Sequence, residues 1–110
     1  MSHNVLFICT YNQCRSPTAE HLFADAPGIK TKSAGLGSDA KIPLSIELLE
    51  WSDLIVVMEI SHLKELSRRF GSPLRGKRVI CLDIPDEYQY MDPVLVHLLR
   101  QKVTHLLPTG

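Results

Sequence analysis

Cysteine is scarce in this chain, charge of one sign is missing, and no apolar run is long. Only three cysteines occur in 110 residues, Cys9, Cys14 and Cys81. An odd, low count without regular spacing excludes a secreted scaffold held by disulfides. Twelve basic and twelve acidic residues cancel to a formal charge of +0, so no global field draws the chain to nucleic acid or to an anionic membrane. The one basic concentration, Arg68–Arg78, carries no nucleic-acid motif and reads as a solvated loop. No apolar stretch approaches the roughly 20 residues that span a bilayer. The short run after Met1-Ser2-His3-Asn4 has no basic region ahead of it, so no signal peptide is read there. The histidines His3, His21, His62, His97 and His105 show no metal-ligand spacing with the cysteines and read as surface or partly buried. These absences lead to the expectation of one domain over residues 1–110, in a reducing cytoplasm, with no metal, cofactor, nucleic-acid or membrane partner.

With 45% hydrophobic residues the chain can bury a single core. Four short apolar runs, Val5–Cys9, Ile29–Ser33, Leu54–Met58 and Arg78–Leu82, are spaced as strands. The first and third are continuous, which fits strands covered on both faces. Helical patterns lie between and after them. Ala19, Leu22, Phe23 and Ala26 recur at helical spacing before Pro27-Gly28. Pro43–Trp51 is a short second helix, and Leu63, Leu66 and Phe70 mark a third that Gly71 stops. Asp92 is a good N-cap, with Pro93 at the first helical position and Leu95, Leu98, Leu99, Val103 and Leu106 as the apolar stripe. Alternating strands and helices imply an α/β fold, a parallel sheet with helices on both faces. Such sheets bind ligands beyond the carboxyl ends of their strands, and Cys9 stands at one of these.

The loop after it reads Cys9-Thr10-Tyr11-Asn12-Gln13-Cys14-Arg15-Ser16, and Pro17-Thr18-Ala19-Glu20 starts the helix. A loop entering a helix N-terminus presents amides without internal partners, in the positive end of the helix dipole. An anion belongs there. Arg15 adds a planar fork suited to two oxygens of a phosphate. The same dipole and guanidinium favour a thiolate at Cys9, and a thiolate beside a bound phosphoryl group is a nucleophile aimed at phosphorus. Read singly, Cys9 and Cys81 fit core cysteines, and Ser16 is a candidate helix N-cap.

The stretch VLFICTYNQCRSPTAE resembles the phosphate-binding loop of the low-molecular-weight protein tyrosine phosphatases. Their pattern is an apolar strand and then Cys-x-Gly-Asn-x-Cys-Arg-Ser-Pro-x-Ala-Glu. Cys9, Asn12, Cys14, Arg15, Ser16, Pro17, Ala19 and Glu20 match it. Ser33-Ala34-Gly35 resembles the motif after the family's second strand, and SDLIVVMEISHLKEL resembles its third strand and following helix. The resemblance implies a three-layer sandwich whose four-stranded parallel sheet has the order 2-1-3-4. It implies a cysteine-dependent phosphatase that hydrolyses a phosphate monoester, phosphotyrosine-like, through a cysteinyl-phosphate intermediate. Cys9 would be the nucleophile. Residues Thr10, Tyr11, Asn12, Gln13, Cys14, Arg15 and Ser16 would cradle the phosphate, and Asn12 would hold the loop in a left-handed conformation. Ser16 would assist the departing thiolate, and Cys14 would trap oxidised Cys9 as a disulfide. Tyr11 stands where the family prefers glycine, and its ring is expected at the rim.

The leaving group needs a proton. The family's acid lies shortly before its last helix, in an Asp-Pro-Tyr segment. Asp86, in Asp86-Glu87-Tyr88, is preferred here; Asp83 and Asp92 are the alternatives. Tyr88 and Tyr90 either wall the pocket or cover the core. The substrate expected is a phosphorylated protein or a small phosphate ester, for a monomer or weak dimer. The segment between Ser33 and Leu54 is short for the family, so the pocket is expected to be open. Two other readings are kept: arsenate reduction on the same fold, which needs a relay of thiols, and a phosphate-binding module without turnover.

Overall fold

The continuous apolar runs become strands because both sheet faces are covered. The computed structural model describes residues 3–71 and 74–107. The strands are β1 (His3–Cys9), β2 (Ile29–Gly35), β3 (Leu54–Val57) and β4 (Arg78–Cys81), all parallel in the order β2-β1-β3-β4. The helices are α1 (Arg15–Leu22), α2 (Ile46–Trp51), α3 (Ile60–Arg69) and α4 (Pro93–Val103), the last followed by a 3-10 turn at Thr104–Leu106.

Side-chain alternation divides the core in two. Val5, Phe7 and Cys9 of β1, with Leu54, Val56 and Met58, face α1 and α4, where they meet Ala19, Phe23, Leu95, Leu99 and Val103. Leu6 and Ile8, with Ile55 and Val57, face α2 and α3, where they meet Leu49 and Leu66. The sheet is therefore wound in both directions from the middle. The chain leaves β1 towards one edge and β3 towards the other, so a crevice opens between their carboxyl ends.

Several boundaries differ from the sequence reading, each for a local reason. Helix α1 begins at Arg15, so Ser16 lies within its first turn and caps nothing; its hydroxyl turns back to the loop. Helix α1 ends at Leu22, and the periodic residues Phe23 and Ala26 continue as turn packed on the core. Helix α2 starts at Ile46 because Ser45 accepts from Leu48 N and caps it, while Pro43 is drawn off to bridge Gly35. Strand β2 runs two residues past Ser33, since Ala34 and Gly35 pair with Ile8 and Cys9.

That extension brings β2 against the loop. A Cβ on Gly35 would lie 2.6 Å from Thr10 O and 2.6 Å from Ala40 Cβ, distances that only glycine permits. Beyond it, Leu36 N donates to Cys9 O (2.9 Å), Gly37 N to Thr10 O (2.9 Å) and Lys41 N to Tyr11 O (3.0 Å). Replacing Gly35 by alanine forces these backbones apart. We expect Gly35→Ala to lose about 1–3 kcal/mol of stability, the usual overpacking cost, read as a lower urea midpoint with an unchanged slope.

Candidate active site

The loop between β1 and α1 closes around the sulfur of Cys9. Its outward carbonyls at residues 9, 10 and 11 are taken by the amides just described. Asn12 has φ 56, a left-handed backbone that asparagine tolerates, and its N–H donates to Cys9 Sγ at 3.3 Å. Among the described residues, none of the amides of Tyr11, Gln13, Cys14 and Arg15 donates to a backbone carbonyl outside the regular elements. They stand at the N-terminus of α1 as free donors for an anion.

Behind the loop the hydrogen atoms can be assigned by counting. Asn12 Nδ2 has two, and donates one to Ser33 Oγ (2.9 Å) and one to Ser16 Oγ (3.0 Å). Ser33 spends its own proton on Glu20 Oε1. Ser16 then has one proton left, and Cys9 Sγ at 2.9 Å is nearer than Ala34 O at 3.4 Å. The sulfur thus accepts from both Ser16 Oγ–H and Asn12 N–H.

Arg15 is 2% exposed, an unusual place for a guanidinium. Its Nη1 donates to Glu59 Oε2 (2.7 Å) and to Ile84 O (2.8 Å), which uses both hydrogens of that nitrogen. The Nε and Nη2 edge keeps three, and Nε lies 3.8 Å from Asp86 Oδ1. That edge is the fork a tetrahedral oxyanion needs. Glu59 follows β3, so the crevice joins the ends of two strands. His62, in the first turn of α3, is 4% exposed. Glu59 N donates to His62 Nδ1 (3.1 Å), which places the ring proton on Nε2, where it donates to Thr10 Oγ1 (2.9 Å). Burial first, and then the Arg15 charge, push the His62 pKa below its ordinary value of 6.5, against the opposing pull of Glu59 and Asp86.

A cavity of about 200 Å³ sits in front, lined by Cys9, Tyr11, Gln13, Cys14, Arg15 and Asp86. Of the candidate phosphate-binding residues, Tyr11, Gln13, Cys14 and Arg15 reach it, whereas Thr10, Asn12 and Ser16 hold the loop from behind. Tyr11 is exposed at the rim. Of the three candidate acids only Asp86 is there. Asp83 is exposed with a left-handed backbone, between residues that extend the pairing of β3 with β4. Asp92 accepts from Val94 N (2.9 Å) and caps α4. Tyr88 packs on the core, and Tyr90 bonds to His21 at the wall of a neighbouring cavity. Cys9 and Cys14 share the pocket as free thiols, while Cys81 is half-buried on a separate cavity with Gln101 and His105. No cluster of metal-ligating side chains occurs among the described residues. Nor is any helix among them long and apolar enough to cross a membrane.

Sequence reasoning missed Glu59 and misread His62 as a surface or partly buried residue. A signal for Glu59 was present. A buried arginine needs a carboxylate, and Glu59 is the acidic residue at the end of the strand beside β1.

The profile described as "Low molecular weight phosphotyrosine protein phosphatase" matches residues 4–42. The low molecular weight protein-tyrosine-phosphatase Wzb of Escherichia coli (strain K12) is 33% identical over a gapped alignment of 119 positions that covers 81% of this chain and 80% of that protein. The chain belongs to the low molecular weight protein-tyrosine-phosphatase family. A crystal structure of the tyrosine phosphatase Wzb from Escherichia coli K30 in complex with phosphate superposes with a TM-score of 0.78 at 30% identity, covering 96% of this chain and 90% of that one. A protein-arginine-phosphatase of Geobacillus stearothermophilus is 30% identical over 94 residues, 64% of either chain. Membership makes the chain a phosphatase and accounts for the architecture, strand order 2-1-3-4 included.

The His62 arrangement carries a pH signature. Its pKa is lower folded than unfolded, so its contribution to stability is complete above about 6.5 and is lost as pH falls from there towards the folded value. Urea unfolding between pH 7.5 and 5 is expected to show the wild type losing stability faster than His62→Gln, whose side chain does not titrate.

Proposed function

We propose that the protein hydrolyses a phosphate monoester, phosphotyrosine-like, through a cysteinyl-phosphate intermediate. What supports this reading above all is the pocket that Cys9, Arg15 and Asp86 line together. The phosphate sits against the amides of Tyr11, Gln13, Cys14 and Arg15 and the Nε/Nη2 edge of Arg15. Cys9 Sγ attacks phosphorus opposite the ester oxygen; the S–P bond forms as the P–O bond breaks, and the leaving oxygen takes a proton from the Asp86 carboxyl group. In the second step the Asp86 carboxylate takes a proton from water. The water oxygen attacks phosphorus, inorganic phosphate is released, and Ser16 Oγ–H stabilises the departing thiolate. Arg15 and the amides serve both transition states, because both spread negative charge over the same equatorial oxygens.

The phosphotyrosine-like substrate is favoured over phosphoarginine by the longer match to relatives named as tyrosine phosphatases and by the exposed ring of Tyr11 at the rim, which offers an aryl leaving group a stacking surface. Arsenate reduction fits less well, since Cys81 faces a different cavity from Cys9. A binding module without turnover leaves Asp86 beside Arg15 unexplained.

Hydrolysis of aryl phosphates by purified variants tests the assignment. Cys9→Ser is expected to abolish turnover, and Asp86→Asn to lower kcat by roughly 10²–10⁴-fold, the range for removal of a general acid. Asp83→Asn and Asp92→Asn are expected to keep kcat near wild type. Residual wild-type turnover in Cys9→Ser would falsify the nucleophile. If Asp83→Asn rather than Asp86→Asn suffers the loss, the acid is misassigned.

A further inference from the structure

A second cavity of about 420 Å³ adjoins the first, lined by Gln13, Pro17, His21, Lys41 and Tyr90. Gln13 belongs to both, so it is the wall between them. The phosphate pocket has about half that volume, and whatever carries the phosphate must leave it across the rim. We propose that this groove is a second subsite, which takes an acidic side chain flanking the phosphorylated residue of a peptide substrate. The proposal rests on the phosphatase reading above and narrows its substrate class.

The groove is rich in hydrogen-bond donors. Lys41 is anchored beside the loop by its amide, which donates to Tyr11 O at 3.0 Å. Among the described residues no carboxylate lies within ion-pair distance of its ammonium group. His21 Nδ1 and Tyr90 OH are hydrogen-bonded to each other. If the phenol donates, the ring keeps an Nε2–H; if Nδ1 donates, the phenol keeps its own proton. In either tautomer the pair has a donor left over. Gln13 adds an amide. Glu20, in an adjoining cavity with Lys41 and Ser33, has its Oε1 occupied by the Ser33 hydroxyl. Donors outnumber acceptors, so a carboxylate is the complementary ligand. The far wall is held in place by Met91 N, which donates to Thr18 Oγ1 at 2.9 Å. Tyr90 is also four residues from Asp86 on one connecting segment. A side chain seated against Tyr90 therefore contacts the segment that carries the acid.

The test compares pairs of phosphotyrosine peptides that differ by Glu or Gln at a single position, stepped across both flanks. The quantity read is the ratio of kcat/KM within each pair, which is unaffected by any general loss of activity in a variant. At low salt the wild type is expected to prefer Glu over Gln at one flanking position by about 3- to 10-fold, somewhat above a fully exposed ion pair. The preference should shrink as salt rises. In Lys41→Met the ratio should fall to about one, and in Lys41→Arg it should be kept. A wild-type ratio near one at every position overturns the subsite, as does a preference that survives in Lys41→Met. Hydrolysis of p-nitrophenyl phosphate by the wild type reports separately on the phosphatase reading. If that ester is not turned over, the reading beneath has failed, and the same Glu/Gln ratio measured as peptide affinity decides the subsite.

Discussion

The site depends on how the two amide hydrogens of Asn12 are spent. One goes to Ser33, whose own proton is fixed on Glu20, and the other goes to Ser16. Ser16 is thereby left as a donor facing sulfur. Exchange any member for an apolar residue of similar shape and the direction of the remaining bonds is no longer determined. The same asparagine has the left-handed backbone that turns the loop and delivers its own amide to Cys9. Loop shape and proton direction are thus fixed by one buried residue, 1% exposed. The network reaches across from α1 to β2, which ties the sulfur's surroundings to the sheet rather than to a mobile segment.

The second constraint is a charge in the wrong place. A guanidinium as buried as Arg15 is tolerated only with partners. Glu59 supplies one charge, Ile84 O a further acceptor, and the strand order makes this possible, because β3 lies next to β1. His62 then links Glu59 to Thr10 across the crevice. An arginine already held on one edge presents the other in a fixed orientation, so little side-chain entropy is left to lose when an oxyanion arrives. Fold and chemistry meet here: a sheet wound from one side only would not bring the ends of β1 and β3 to a common crevice.

The architecture was legible because every strand but β4 is buried along most of its length and the stripe of α4 is regular. Element ends were less so. Ser16 looks like a cap in sequence, since serine before proline at a helix start usually is one, but its hydroxyl is claimed by sulfur. Within the site, the loop motif was visible because five residues between Cys9 and Arg15 suffice to wrap an anion. The supporting shell was not. Glu59 and His62 lie 44 and 52 residues from the loop atoms they bind, and only the place of Glu59 just after β3 hints at either role. Sequence ranked Asp86, Asp83 and Asp92 without placing them: Asp86 lines the cavity with Cys9, whereas Asp92 caps α4.

The contacts on the outside of the loop have a kinetic meaning. Leu36, Gly37 and Lys41 hold its carbonyls as an added stretch of sheet would. A loop pinned on that side has less backbone freedom to lose when an anion binds. The encounter rate should then be set by diffusion and orientation, and differences in affinity among anions should appear in how long each one stays.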